Sequence, residues 1–177
     1  EGTLTGSFNE TTFFNGLVLD ADEQLALIDK YGGIDELGGF HTAPHFAAAW
    51  AHANNTPFQW GKQMASHLGG TRDPMVISWP KKIAAGGDLR AQFTHCIDVV
   101  PTILEVVGLP VPTNVDGIEQ EPMDGTSFAY TFDAANAKEA SRHKTQYFEM
   151  MGQWALYHEG WMLSTTVNRA PWELFGA

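Results

Sequence analysis

The chain has 177 residues, 44% of them hydrophobic and 12% aromatic, which excludes a disordered or fibrous chain and fits one globular domain. A formal net charge of −11 and the lack of any Lys/Arg run argue against nucleic acid as a partner, and an anionic ligand would need local cations against that field. The single cysteine, Cys96, rules out an internal disulfide, and no apolar run reaches the length of a membrane span.

Glu1 opens the chain without Met, without a charged n-region and without an apolar h-region, which suggests a processed chain or a piece of a longer one. Gly2 to Asn9 is rich in Gly, Thr and Ser and reads as loop. Asn9-Glu10-Thr11 and Asn54-Asn55-Thr56 match the glycosylation sequon, which matters only in a eukaryotic secretory protein. Asp20 to Tyr31 reads as a helix: Asp20 caps, Glu23 follows three residues later, Leu25, Leu27 and Ile28 form an apolar side, and Gly32-Gly33 stops it. Thr56-Pro57 reads as a second helix start, with Phe58 and Lys62 on one face and Gly69-Gly70 at the end. Met75 to Trp79, an apolar run between Pro74 and Pro80, suits a strand buried on both faces.

Asp98 to Val107 is the clearest helix. Asp98 is placed to cap, Pro101 falls in the first turn, Ile103, Leu104 and Val107 continue an apolar stripe, and Gly108 ends it. Pro110 to Gly125 reads as a long Pro/Gly/acid loop. Gln146 to Met150, Ala155 to Tyr157 and Trp161 to Thr165 read as strands, the last two forming a hairpin around Glu159-Gly160. Strands alternate with helices early and cluster late, so the expected class is α/β with an antiparallel element at the C-terminal end.

Five segments in register resemble the arylsulfatases of the alkaline phosphatase superfamily. They are Thr56-Pro57-Phe58-Gln59-Trp60-Gly61-Lys62-Gln63 through Gly69-Gly70-Thr71-Arg72, Pro74 to Pro80, Ile97-Asp98-Val99-Val100-Pro101-Thr102 to Gly108, Val115-Asp116-Gly117 with Asp124-Gly125-Thr126-Ser127, and Thr145 to Met150 with Tyr157 to Trp161. The resemblance implies part of an alkaline-phosphatase/sulfatase-like sheet with helices, residues 1–145 forming the second half of the α/β core and 146–177 the start of a C-terminal antiparallel element. It implies hydrolysis of a small sulfated ester by a formylglycine nucleophile and calcium, in a periplasmic or secreted setting. Fixed cations acting on developing charge supply the catalysis in such a site. The Cys/Ser-x-Pro-x-Arg modification motif and the paired Asp ligands do not occur in the 177 residues, so the chain alone is expected to be inactive.

By the same resemblance, Lys62 matches the family lysine that contacts sulfate and the leaving-group oxygen, against the ordinary reading of a solvated surface lysine. His45 matches a His- and aromatic-rich segment bordering the substrate, and His67, five residues from Lys62, is a weaker substrate-binding candidate; a structural histidine is the alternative for both. A metal pair of His41 and His45 is disfavoured by Pro44 and by the lack of a completing carboxylate. Cys96 reads as a small buried residue, and Ser78-Trp79-Pro80-Lys81-Lys82 lacks the required Arg. Asp116, Asp124 and Asp133 read as turn-capping residues rather than calcium ligands. Two other functions fit: a phosphoesterase or phosphonate hydrolase of the same superfamily, and a non-catalytic module that kept the fold.

Overall fold

The computed structural model describes residues 20–41, 48–84, 86–166 and 171–176; the Gly2–Asn9 loop, the Asn9 sequon and His45 lie outside them. Among the described residues, the α-helices are α1 (Ala21–Lys30), α2 (Ala48–Asn55), the single turn α3 (Leu68–Thr71) and α4 (Val99–Val107). Strands β1 (Asn114–Val115) and β2 (Ile118–Glu119) form a small antiparallel ribbon. A four-stranded sheet follows in the order β3 (Thr145–Met150), β4 (Gln153–His158), β5 (Trp161–Thr165) and β6 (Glu173–Gly176). Mixed helices and antiparallel sheets agree with the expected α/β class. No helix among the described residues is long and apolar enough to cross a membrane.

The chain packs as two compact units. Of the described residues, the first takes in those up to Asp73 together with Glu149–Trp154 and residues 165–166; the second takes in Pro74–Phe148, Ala155–Ser164 and the last strand. In the first, α1 starts on a reciprocal box: the Asp20 carboxylate accepts from the Glu23 N–H (2.9 Å) and the Glu23 carboxylate from the Asp20 N–H (3.0 Å). It stops where Gly32 and Gly33 take positive φ and the Gly33 N–H donates to the Ile28 carbonyl (2.9 Å). Its buried face is Gln24 and Ile28, four residues apart, while Leu25 stays half exposed.

The expected helix after Pro57 does not form. α2 ends at Asn55, the Thr56–Pro57 bond is cis, and residues 57–67 run as turns. Trp60 (φ 66°) and Gln63 (φ 74°) sit in left-handed conformations that no right-handed helix contains, so Phe58 and Lys62 share no helical face.

In the second unit, Met75 to Trp79 is not a buried strand. It joins no ladder among the described residues, and Val76 is 93% exposed. An apolar run between prolines becomes a strand only where neighbours supply hydrogen bonds. Helix α4 forms as expected, ended by Gly108 at φ 73° with the Leu109 N–H on the Leu104 carbonyl (2.9 Å). Its expected apolar stripe is only partly buried, since Ile103 and Val107 are more than half exposed.

Among the described residues, three strand-linking two-residue turns carry positive φ at both positions: Asp116-Gly117, Met151-Gly152 and Glu159-Gly160. That is the twist-matched geometry that closes hairpins. The Glu159-Gly160 hairpin was expected, whereas Asp116-Gly117 builds the β1–β2 ribbon inside what reads as loop. The core draws on alternate residues: Ala155 and Tyr157 on β4, Met162 on β5, and Phe128 from the preceding segment. Phe93 stacks on Tyr157 with ring centroids 3.7 Å apart. Cys96, expected to be buried, is exposed, because the 3-10 turn Cys96–Asp98 turns Asp98 inward and leaves the thiol outside.

Candidate functional site

Lys62 lies on an exposed turn of the first unit, within a loop that is fixed at many points. The Asn55 side-chain amide donates to the Trp60 carbonyl and to the Gly69 carbonyl, both at 2.8 Å. The Gly69 N–H reaches the Gln59 carbonyl (3.0 Å), and the Met64 N–H reaches the Gly61 carbonyl (3.1 Å). Both glycines of the Gly69-Gly70 pair are sterically required: a Cβ on Gly69 would run into the carbonyl oxygens of Gln59 and Trp60, and one on Gly70 into those of Gly61 and Met64. The Arg72 guanidinium lies over the Phe58 ring, 5.0 Å from its centroid. Left-handed Trp60 and Gln63 flank Gly61-Lys62, a conformation costing about 1–2 kcal/mol per residue that persists where surrounding contacts dictate it.

His67 ends that loop as the residue before α3. Its Nδ1 is 2.9 Å from the Ser66 hydroxyl, its ring centroid is 6.0 Å from that of Trp60, and its carbonyl accepts from the Thr71 hydroxyl (3.2 Å). The Ser66 hydroxyl, with no exposed surface, donates to Gln153 Oε1 (3.4 Å). His67 and Lys62 therefore share one loop, though not through the helical geometry expected. His41 stacks on Tyr31 at 5.6 Å.

Sequence reasoning missed a polar brace in the second unit. Asp98 stands before α4, but its carboxylate does not cap the helix. Its backbone is helical (φ −79°, ψ −14°), unlike the extended N-cap geometry, so the side chain turns away into the interior with no exposed surface. There it accepts from the His95 N–H (2.8 Å) and the Thr126 N–H (2.7 Å), and both oxygens lie 2.8 Å from His143 Nδ1. His143 Nε2 is 3.1 Å from the Thr145 carbonyl, so its two ring nitrogens face the Asp98 carboxylate and a backbone carbonyl. The Thr102 hydroxyl donates to the Asp98 carbonyl (2.6 Å) and accepts from the Phe128 N–H (3.0 Å). Gly125 passes so close to the Ile97 carbonyl that no Cβ fits. Two motifs read as separate, Ile97-Asp98 to Thr102 and Asp124-Gly125-Thr126-Ser127, thus hold each other. The available signal was an Asp preceded by His95 and followed by a hydroxyl four residues on.

His95 is pushed below its ordinary value of 6.5, chiefly by burial; Asp98 opposes this and His143 adds to it. The Ile97 N–H pointing at His95 Nδ1 (3.5 Å) suits a neutral ring. An open cavity of about 450 Å³ in this unit is bordered by Trp79, Lys82, Arg90, Glu105, Phe132 and Asp133. Arg90 is already committed there, its Nε donating to the Thr131 carbonyl (2.8 Å) and its Nη1 to the Leu89 carbonyl (2.9 Å). Asp133 caps the next 3-10 turn by accepting from the Ala135 N–H (2.9 Å), as the turn-capping reading expects. Among the described residues, no three His, Cys, Asp or Glu side chains gather as a metal site.

Comparison with known proteins places these features in context. A family model described as sulfatase matches residues 25–109, just under half of the chain, a stretch that contains the Lys62 loop, Asp98 and α4. The chain is 28% identical to mouse N-acetylgalactosamine-6-sulfatase over 149 residues, covering 77% of this chain and 28% of that protein. It is 28% identical to the dog protein of the same name over 134 residues (68% and 25%) and to the rat protein over 116 residues (60% and 22%). The chain thus spans about a quarter of the length of the curated relatives it matches. Over these stretches the chain is similar to sulfatases.

Proposed function

We propose that the protein carrying this chain is a sulfuric ester hydrolase that cleaves sulfate monoesters, and that Lys62 contacts the sulfate and the leaving-group oxygen. The observation that carries this reading is the position of Lys62: an exposed cation on a turn whose flanks are hydrogen-bonded, inside the stretch that the sulfatase model matches. A preorganised ammonium of this kind favours charge that develops in the transition state without reorganising when it forms. As a compact point charge it serves a sulfate oxygen without bidentate geometry. His67 belongs to the same loop and is proposed to border the substrate; His45 is proposed for the same role on the resemblance alone.

Such chemistry uses a formylglycine hydrate as nucleophile and calcium as electrostatic partner. The described residues offer no cluster fit to hold calcium, and the modification motif does not occur in this sequence. An aryl sulfate is the substrate type that the sequence resemblance implies. The relatives' name, N-acetylgalactosamine-6-sulfatase, favours a second reading, a sulfated N-acetylhexosamine.

The test is turnover of p-nitrophenyl sulfate and of N-acetylgalactosamine 6-sulfate by the whole protein and its Lys62→Ala variant. Loss of a transition-state donor predicts a fall in kcat/KM of about 10²-fold or more. Unchanged rates on both substrates would remove Lys62 from the mechanism. Hydrolysis of phosphate esters without sulfate esters would favour the phosphoesterase reading.

A further inference from the structure

We infer that Asn55 is the positioning residue for the Lys62 loop. This rests on the role proposed for Lys62 and adds to it the group that sets where the lysine stands. One nitrogen, Asn55 Nδ2, donates both of its hydrogens, to the Trp60 carbonyl and to the Gly69 carbonyl, each at 2.8 Å. Those two carbonyls lie at the two ends of the segment that carries Lys62. A single side chain therefore closes the loop 60–69 at its neck, next to the backbone bond from the Gly69 N–H to the Gln59 carbonyl (3.0 Å).

The chemistry of the neck selects a primary amide. Two carbonyl oxygens need two protons from one short side chain. A carboxylate has none to give, and a hydroxyl has one. Asn55 is itself held as the last residue of α2, where its own carbonyl accepts from the Phe58 N–H (3.0 Å) and the Thr56 hydroxyl reaches back to the Ala53 carbonyl (3.1 Å). The glycine pair Gly69-Gly70 lets the neck close, since any Cβ there would meet backbone oxygens. Inside the closed loop, Trp60 and Gln63 stay left-handed around Lys62. With the amide removed, the loop loses both neck bonds and these conformations relax, moving the ammonium. A displacement of an ångström at a reacting centre costs on the order of 10²-fold in rate.

The experiment is a double-mutant cycle in the whole protein with p-nitrophenyl sulfate, using Asn55→Ala, Asn55→Asp, Lys62→Ala and Asn55→Ala/Lys62→Ala. Each Asn55 variant is expected to lower kcat tenfold or more with a smaller change in KM. The double variant is expected to be no slower than Lys62→Ala, because a misplaced lysine and an absent one fail alike. Losses that multiply in the double variant would overturn the inference while leaving the role of Lys62 standing. A fully active Lys62→Ala would instead overturn the role of Lys62 from which the inference starts. If neither Asn55 variant folds, amide exchange in the wild-type protein decides. The Met64 and Gly69 N–H groups are expected to be protected, and exchange as fast as in an open loop would refute the closed neck.

Discussion

In the first unit, an exposed lysine rides on a loop fixed by neutral groups: one amide, several carbonyls and two glycines. In the second, a carboxylate with no exposed surface is fixed by two backbone N–H groups and a nearly buried imidazole. Each arrangement spends its polar groups differently. The Asp98 charge is consumed by its own hydrogen bonds, which tie together α4, the Thr126 segment and the residues before β3. In the Lys62 loop, the ties from the Asn55 amide and from the Gly69 and Met64 N–H groups are made by uncharged groups. The contrast separates a group that holds structure from one that structure holds, although both lie in motifs that resemble the same family.

The largest way to test that contrast is Asp98→Ala. It strands the His95 and Thr126 N–H groups and leaves His143 without its carboxylate, and breaking such a buried pair costs about 3–5 kcal/mol. Urea unfolding of the chain should show this as a lower midpoint at unchanged slope. A loss below about 1 kcal/mol would mean the brace is not structural. Gly69→Ala comes next: its Cβ presses on backbone oxygens that cannot swing aside, so overpacking of about 1–3 kcal/mol is expected in the same assay. Asp20→Ala, which removes the reciprocal cap of α1, should cost about 1 kcal/mol. At the small end, Lys62→Ala should stay within about 0.5 kcal/mol of wild type in stability, as an exposed turn residue does. A large stability loss there would erase the distinction between the two regions.

The pH dependence sharpens it further. His95 holds its proton less tightly when folded than at its ordinary 6.5, so between the lowered native value and 6.5 the unfolded chain binds more protons. The stability that His95 contributes is complete above 6.5 and is lost as pH falls through the native value. The groups facing it are Asp98, His143, Cys96 and the Phe148 ring. His95→Gln should therefore flatten the rise of Tm on going from about pH 5 to about pH 7. An unchanged slope would assign that rise to other groups.

Much of the local structure was legible. The Asp20/Glu23 box, the Gly108 stop and the Glu159-Gly160 turn are short-range chemistry, where a few adjacent residues satisfy each other whatever surrounds them. The Asp116-Gly117 turn carries the same signal, yet its stretch reads as loop because no strand-like run flanks it. The Lys62 loop was legible as a motif but not as a shape. A capping hydroxyl followed by Pro looks like a helix start, whereas left-handed Trp60 and Gln63 and the Asn55 bonds depend on Gly69, fourteen residues beyond Asn55. Met75 to Trp79 failed for the complementary reason, since a strand is defined by its neighbours.

The sequence by itself determined the caps, the glycine stops, the tight turns and the likeness of its motifs to sulfatases, because each depends on residues a few positions apart. Tertiary structure alone decided that Asp98 turns from helix cap to buried brace, that Cys96 faces outward, and that one amide closes the loop bearing Lys62. Those outcomes join groups up to 45 residues apart, His143 to Asp98 being the longest, and only a folded chain brings their donors and acceptors within bonding distance.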